Sequence, residues 1–279
     1  MIHELTHVNQ SMKLRATIRN LQEALDFANG ITPPAYRCFD KSEQVTGKCV
    51  KHGDHNAWRI WTEFSGRTAE KLSKCPLCVT EELDAAREEL RALQVAELID
   101  NANIPERFFG CSFDNYDSVN KSAQRTVGIL KKYAGAWPEM YAAGTSLILS
   151  GKPGTGKNHL AVAVARSVIE NHQASVFLTS VMRIIRAVRR TWGKNSDLSE
   201  EDAIAHYTDI DLLIIDEIGI QYGSESEMII LFDILNTRYE RMLPTILISN
   251  LNPAEISNVI GERLTDRMTE GGGAALVFD

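Results

Sequence analysis

The strongest structural signal in this chain is the segment Leu147-Ile-Leu-Ser-Gly151-Lys-Pro-Gly154-Thr-Gly156-Lys157-Asn158. An apolar segment runs into a glycine-rich turn, and a segment with helical periodicity follows the turn. Glycines let successive backbone N–H groups curl toward phosphate oxygens, and the N-terminus of the following helix points its positive dipole end at the same place. Lys157 would reach the β- and γ-phosphates. The stretch therefore predicts a phosphate-binding loop between a strand and a helix.

Asn158 is the position at which this loop departs from the usual pattern. A Ser or Thr at this position normally places a hydroxyl on Mg²⁺, whereas Asn offers a neutral carbonyl oxygen that is a poorer ligand. The loop therefore predicts nucleotide binding more directly than it predicts magnesium coordination.

Short apolar segments and helical segments alternate around this loop, from about residue 104 onward. This alternation is typical of a parallel sheet that helices cover on both faces. We therefore predict an α/β fold with a central parallel sheet. The expected strands are Ser146–Ser150, Ser175–Thr179, Leu212–Ile215, Thr245–Ser249 and Ala274–Phe278. The expected helices are Leu160–Asn171, Val181–Thr191, Glu225–Arg241 and Ala254–Thr269.

Polar side chains follow two of these strands, at the edge where ligands of open α/β sheets gather. Asp216 and Glu217 end one strand, and Asn250 ends the next one along the chain. We expect Asp216 to hold Mg²⁺, directly or through water, and Glu217 to polarise the attacking water. Asn250 is a candidate to position that water near the γ-phosphate, and the alternative is a turn-forming Asn.

Arg263 and Arg267 lie four residues apart and therefore on one face of an expected helix. In ATPases of this kind, an arginine from a neighbouring subunit stabilises charge in the transition state. The alternative is a pair of surface arginines that form ion pairs with Glu262 and Asp266.

Three segments together resemble the DnaC-type helicase loaders and their phage-encoded relatives, within the AAA+ class of ATPases. They are Ser150–Ala161, Asp211–Gly219 and Gly261–Met268, and the lead-in Ile104–Tyr116 is also similar. The resemblance covers about residues 103–279. It implies an AAA+ P-loop core that loads a hexameric replicative DNA helicase onto single-stranded DNA in an ATP-dependent manner.

The same resemblance implies ATP and Mg²⁺ as cofactors and an ATP-dependent homo-oligomer. It implies that Arg267 acts on the neighbouring subunit, with Arg263 nearby at the subunit interface. The residues expected at the nucleotide are Gly151, Pro153, Gly154, Thr155, Gly156, Lys157, Asn158, His159 and Asp216.

Two pairs of metal-binding residue types occur in the N-terminal part, Cys49 with His52 and Cys75 with Cys78. Two residues separate the members of each pair, so that both side chains of a tight turn can face one ion, and two such turns make a tetrahedral zinc site. Zinc also supplies folding free energy to a region too short to build a large core. Cys38 is an alternative ligand, as is His55.

The zinc module has no dense basic stripe, which favours contact with protein over contact with DNA. Trp58 and Trp61 are candidate anchors for such a contact, and packing in the core is the alternative for both rings.

A basic helical segment is the candidate for DNA binding, because residues 176–196 include no Asp or Glu. Its arginines are Arg183, Arg186, Arg189 and Arg190, which share a broad helical face. In an acidic protein such a local concentration predicts contact with the backbone of single-stranded DNA. The alternative is a solvated helix face.

The length of 279 residues suggests about two domains. We expect an N-terminal helicase-interaction domain with the zinc module at residues 1–79, a linker helix at 80–102 and the ATPase domain at 103–279. A net charge of −7 argues against a basic nucleic-acid domain. The five cysteines fit a reducing compartment, and no signal peptide or membrane span is expected, so we predict a cytoplasmic protein.

Two alternative functions remain open at this point. An IstB-like helper ATPase of transposition shares the same core. A nucleotide-gated adaptor would bind ATP, DNA and protein with little hydrolysis; Asn158 favours the adaptor, whereas the Asp216–Glu217 pair favours turnover.

Overall fold

The computed structural model describes residues 2–31, 41–64, 67–193, 197–219 and 225–279. Its contacts divide the chain into two units, Met1–Gln94 and Val95–Asp279. The described helices and strands, in chain order, are α1 (Ile2–Ala28), β1 (Lys41–Cys49), β2 (Gly53–Phe64), β3 (Arg67–Leu72), α2 (Pro76–Asn101), α3 (Lys121–Gly135), α4 (Trp137–Ala142), β4 (Leu147–Gly151), α5 (Lys157–His172), β5 (Val176–Ser180), α6 (Val181–Thr191), α7 (Glu200–Thr208), β6 (Leu212–Ile218), α8 (Glu225–Glu240), β7 (Thr245–Ser249), α9 (Pro253–Ile260), α10 (Glu262–Thr269) and β8 (Ala274–Phe278).

The larger unit is built on a parallel sheet with the strand order β5-β6-β7-β4-β8. Strands β4, β6 and β7 are buried along most of their length, because they are almost entirely apolar and have helices on both faces. The predicted α/β fold with a central parallel sheet is confirmed.

Side chains alternate across this sheet and so feed two separate layers of core. Leu147 and Leu149 of β4 belong to a cluster that includes buried residues of α3 and α5. Ile148 belongs to a cluster on the opposite face, with buried residues of α6, α8, α9 and α10.

The single helix predicted at Ala254–Thr269 is wrong, because the chain breaks at Gly261. The φ angle of Gly261 is +89°, in a region that glycine adopts at little cost. Helix α9 therefore ends at Ile260, and α10 begins at Glu262.

Arg238 of α8 is fully buried and joins several chain segments at the base of the sheet. Its guanidinium donates hydrogen bonds of 2.6 to 3.2 Å to the carbonyls of Tyr207, Ile210, Asp211 and Pro244 and to the hydroxyl of Thr245. Burial lowers the pKa of Arg238, and the nearby Asp211 opposes that shift. These bonds fix the ends of the loops that enter β6 and β7.

The smaller unit contains an antiparallel sheet with the order β1-β2-β3, which the sequence analysis did not predict. The turn between β1 and β2 follows directly after Cys49. The large apolar side chains described as buried in this unit are few: Phe27, Ile60, Val79 and Leu83.

Helix α2, expected at 80–102, begins earlier, at Pro76, and ends at Asn101. Its first turns bury Val79 and Leu83, whereas Leu98 and Ile99 near its end pack against the core of the larger unit. The domain limits given above stay predictions. Within the described ranges, no helix combines the length and the apolar character needed to cross a membrane.

Candidate functional site

The predicted phosphate-binding loop lies between β4 and α5, and two of its glycines have close neighbours. A Cβ at Gly151, where φ is +135°, would lie 2.0 Å from the carbonyl oxygen of Phe278 in β8. A Cβ at Gly156, where φ is +85°, would lie 2.4 Å from the ring of Tyr116. Both positions therefore require glycine for steric as well as conformational reasons.

Lys157, the first residue of α5, directs its ammonium group into this loop. Its Nζ donates hydrogen bonds of 2.7 Å to the carbonyl oxygens of Gly151 and Lys152. Burial lowers the pKa of Lys157, and the carboxylate of Asp216 opposes that shift. The loop thus holds a cation within reach of the place where phosphate oxygens would lie.

Strand β6 changes its pairing with β7 between Ile215 and Ile218, immediately at the two carboxylates. Glu217 has a φ of +64°, a left-handed conformation that is uncommon for a residue with a side chain. Its backbone N–H donates to Asp216 Oδ1 over 2.7 Å. The irregularity takes Glu217 out of the ladder and leaves its side chain exposed at the end of the strand.

Asn158 is hydrogen bonded to Asp216, since its Nδ2 donates to Asp216 Oδ2 over 2.7 Å. A carboxylate accepts hydrogen bonds, so the amide nitrogen of Asn158 faces it and the amide oxygen remains available as a ligand. Both oxygens of Asp216 thus accept a hydrogen bond, which fixes the orientation of the carboxylate.

One cavity of about 380 Å³ collects most of the residues predicted for nucleotide binding and hydrolysis. We call it the phosphate cavity. It is lined by Arg107, Phe108, Pro153, Gly154, Gly156, Lys157, Asn158, His159, Asp216, Glu217 and Asn250. The structure therefore brings Glu217 and Asn250 together with the loop.

A neighbouring cavity of about 450 Å³ shares Gly154, Gly156 and His159 with the phosphate cavity and also contains Thr155. We call it the side cavity. Its other lining residues are Asn115, Tyr116, Asp117, Val119, Ser122, Ala123, Thr126, Val277, Phe278 and Asp279.

The residues that precede α3 in the side cavity have no sequence motif that predicts a role for them. The Tyr116 hydroxyl donates to the carbonyl of Thr155 over 3.1 Å, and its ring lies edge-on to His159. His159 in turn donates from Nε2 to the carbonyl of Ser112 over 2.8 Å. The resemblance of the segment Ile104–Tyr116 was the available signal, but it did not indicate which side chains face the loop.

Arg263 and Arg267 lie on α10 and do not line the phosphate cavity of their own chain. The Arg267 guanidinium lies 4.6 Å from the ring centre of Tyr239 and donates a hydrogen bond to Asn236. Among the described residues, neither arginine forms the ion pair with Glu262 or Asp266 that was the alternative interpretation.

The basic helix α6 buries one face and exposes its arginines on the other. Its buried residues are Val181, Ile184, Ile185 and Val188, and its exposed arginines are Arg183, Arg186, Arg189 and Arg190. Arg189 differs from the others because it forms a 3.0 Å ion pair with Glu227, a nearly buried carboxylate of α8. The exposed arginine surface therefore exists as expected, with Arg189 already held by an internal partner.

The four predicted zinc ligands are brought together in the smaller unit. The ligand atoms of Cys49, His52, Cys75 and Cys78 all lie within 4.8 Å of one another. His52 Nδ1 lies 3.7 Å from Cys49 Sγ, 3.6 Å from Cys75 Sγ and 3.3 Å from Cys78 Sγ, and the Sγ atoms of Cys49 and Cys78 are 3.5 Å apart.

These distances fit a zinc ion. Tetrahedral zinc with ordinary bond lengths separates two thiolates by about 3.8 Å and a thiolate from an imidazole nitrogen by about 3.5 Å. The other ring nitrogen of His52, Nε2, donates to Glu81 over 3.3 Å, and Glu81 is also paired with Lys51. A carboxylate behind a histidine is the usual support of a zinc ligand.

The structure also locates the alternative ligand His55 and the two candidate anchor tryptophans. Cys38 lies outside the described residues, and His55 is not part of the four-ligand cluster. Trp58 and Trp61 are both half-buried. Trp58 lies against Gly30, and the cationic groups of Lys41 and Arg59 lie over the ring of Trp61.

Comparison with known proteins places the chain in a family. The model of the family described as IstB-like ATP binding protein matches residues 69–270. The chain is 35% identical over 191 residues to the replicative helicase loader DnaC of Buchnera aphidicola subsp. Acyrthosiphon pisum (strain APS), covering 68% of this chain and 76% of that protein. It is 33% identical over 195 residues to the replicative helicase loader DnaC of Escherichia coli (strain K12), covering 70% of this chain and 78% of that protein.

A solved structure supports the same fold. The crystal structure of the DnaC helicase loader superimposes with a TM-score of 0.57 at 20% sequence identity, covering 63% of this chain and all of that one. On the breadth of the family match and the extent of the sequence similarity, the chain belongs to the IstB-like ATP-binding proteins, among the helicase loaders of the DnaC type.

Proposed function

We propose that this protein is an ATP-dependent loader that binds a hexameric replicative DNA helicase and helps to place it on single-stranded DNA during replication initiation. The observation that carries the proposal is the phosphate cavity, in which Lys157, Asn158, Asp216, Glu217 and Asn250 meet. The similarity to DnaC loaders over about three quarters of their length supplies the partner. We expect the protein to act in the cytoplasm.

The proposed ligand of the two adjoining cavities is ATP with Mg²⁺. The loop from Gly151 to Lys157 would bind the phosphates, and Asp216 would hold Mg²⁺, directly or through water. The carbonyl oxygen of Asn158 is a further candidate ligand for Mg²⁺. The side cavity offers space for the nucleoside beside Tyr116.

The proposal also includes ATP hydrolysis. Glu217 would polarise the attacking water and Asn250 would orient it, while the charge of the transition state needs a further cation. Arg267 does not line the phosphate cavity of its own chain, and the proposal is that it supplies this cation to the site of a neighbouring subunit. A homo-oligomer with shared active sites is therefore part of the proposal.

A nucleotide-gated adaptor remains the second candidate because Asn158 stands in place of a hydroxyl ligand. Measured ATP turnover, with and without single-stranded DNA, separates the two. A loader that hydrolyses ATP should show turnover that rises with protein concentration and again with DNA. Tight ATP binding without turnover under any of these conditions would favour the adaptor.

We further propose that α6 contacts DNA. Its exposed face, with Arg183, Arg186 and Arg190, can follow the phosphates of a single strand. Arg189 would join them only by exchanging its ion pair with Glu227 for a phosphate.

The N-terminal part is proposed to bind the helicase and to hold one zinc ion. Residues 1–79 would form the helicase-interaction domain, 80–102 the linker helix and 103–279 the ATPase domain. The ligands would be Cys49, His52, Cys75 and Cys78, whose spacing fits tetrahedral zinc. Zinc would supply folding free energy here and take no part in ATP chemistry.

The experiment that tests the function uses the full chain with the purified replicative helicase of the same host. In the presence of ATP, the protein and the helicase should form a complex that transfers the helicase to circular single-stranded DNA, which has no free ends. Capture of a transposase from a lysate of the host, together with no affinity for the purified helicase, would instead support the IstB-like transposition helper, which the named relatives make the weaker alternative.

A further inference from the structure

Arg107 lines the phosphate cavity although it lies fifty residues before Lys157 in the chain. It belongs to a short 3₁₀ turn, Glu106–Phe108, that precedes α3. The turn brings Arg107 to the cavity that also contains Lys157, Asp216 and Glu217.

The turn that carries Arg107 is fixed to the rest of the larger unit. Phe108 packs against the core cluster beneath α5, and its carbonyl accepts from the backbone N–H of Cys111 over 2.9 Å. The carbonyl of Phe109 accepts a hydrogen bond from Arg166 of α5, which is also paired with Glu170 over 2.9 Å. Arg107 is therefore held beside the same helix that begins at Lys157.

The guanidinium of Arg107 is available to a ligand. Its central carbon lies 4.6 Å from the ring centre of Phe108, and the side chain is exposed. Within the part of the chain that the structure describes, no carboxylate or carbonyl is hydrogen bonded to it. Stacking on a ring leaves the N–H edge of a guanidinium free, and that edge matches two phosphate oxygens.

The charges in the cavity explain the need for such a group. Asp216 and Glu217 are both carboxylates, and a triphosphate beside them meets repulsion that Lys157 and a bound Mg²⁺ must offset. Burial lowers the pKa of Lys157, and the carboxylate of Asp216 opposes that shift. An arginine keeps its charge under all ordinary conditions.

We propose that Arg107 is a second phosphate-binding residue of this cavity, whose guanidinium binds the distal phosphates of a nucleoside triphosphate. The inference rests on the proposed binding of ATP and adds a residue that selects for the number of phosphates. It makes Arg107 a specificity-determining residue that acts within its own subunit.

The test compares the full-length wild-type protein with Arg107→Ala and Arg107→Lys. Arg125→Ala is the matched control, because Arg125 is an exposed arginine of α3 that lines neither cavity. The affinities for ATP, ADP and AMP are measured by competition with a fluorescent ATP analogue. Circular dichroism and thermal unfolding check that each variant is folded.

We expect Arg107→Ala to weaken ATP binding roughly tenfold, the low end for a charge-assisted hydrogen bond at an exposed side chain. Binding of AMP should change less than about twofold, and Arg107→Lys should recover part of the loss. Because the group is exposed, the effect should shrink as salt rises. Arg125→Ala should match the wild type.

Three outcomes overturn the inference. Unchanged ATP affinity in folded Arg107→Ala excludes the contact, and equal losses for ATP and AMP would show a general effect on the pocket. In both cases normal ATP binding by the wild type leaves the proposed function standing. Failure of the wild type itself to bind ATP would overturn the proposed function along with this inference.

Discussion

Removal of one zinc ligand should unfold the smaller unit and leave the larger one intact. The ligands come from the turn between β1 and β2 and from the start of α2, so a bound ion would tie the sheet to the helix. Few large apolar side chains are buried there, and the metal is expected to replace the missing core. We choose Cys78→Ser because Cys78 is half-buried, whereas Cys75 is buried and its loss would also disturb packing.

The magnitude follows from the number of ligands. Structural zinc in small peptides binds with about 10–16 kcal/mol, so each of four ligands accounts for about 3 kcal/mol. Loss of one thiolate should therefore weaken zinc binding roughly a hundredfold. The assay is competition with a chromophoric chelator, followed by limited proteolysis and mass spectrometry. In Cys78→Ser, cleavage should appear within residues 1–94 and spare residues 95–279.

His55→Asn is the control, because His55 is a half-buried histidine of the same sheet that lies outside the cluster. It should retain zinc as the wild type does. Wild-type protein that is prepared without chelator and contains no zinc by elemental analysis would contradict the zinc site. Zinc held as tightly by Cys78→Ser as by the wild type, or lost to the same extent by His55→Asn, would also contradict it.

Three further predictions concern the larger unit. Lys157→Ala should reduce ATP affinity at least about a hundredfold by calorimetry, because it removes a buried cation from the loop; equal affinity would exclude the phosphate site. Arg267→Ala should bind ATP normally but lose at least about 99% of turnover, and mixing it with Lys157→Ala subunits should restore part of the activity. If that mixture stays inactive although both variants associate, Arg267 does not act between subunits. Charge reversal at Arg183, Arg186 and Arg190 should weaken binding to single-stranded DNA and flatten its dependence on salt, whereas an unchanged salt slope in filter binding would remove α6 from the DNA site.

The parallel sheet and the phosphate loop could be predicted because their signals are local. Strands such as β4 and β7 are short apolar runs, and the glycines of the loop sit at fixed spacing beside them. The two ligand pairs of the zinc cluster are equally local, since each occupies one turn. The order of the strands in the sheet and the convergence of the two ligand pairs on one site are determined by the three-dimensional fold.

Other features depend on contacts that a linear pattern does not show. Strand β1, Lys41–Cys49, is mostly polar, so the alternation of burial that it shows from Ser42 to Cys49 does not appear in the sequence as an alternation of apolar and polar residues. Gly261 breaks a segment whose apolar spacing is otherwise helical. Arg107 lines the phosphate cavity and Tyr116 lines the side cavity, although both residues are far from the phosphate-binding loop in the sequence. The residues next to them in the chain do not indicate that their side chains line these cavities.

The buried guanidinium of Arg238 has a consequence for how this chain can vary in evolution. Its five acceptors come from the end of α7, the approach to β6 and the start of β7, and they lie in different directions. Lysine offers its donors from a single nitrogen, and an apolar replacement removes the guanidinium donor from all five acceptors, of which Pro244 keeps a 3.4 Å hydrogen bond from the backbone N–H of Leu213. No single substitution at this position is therefore conservative. A relative that lacks this arginine must have rebuilt both approaches to the sheet at the same time.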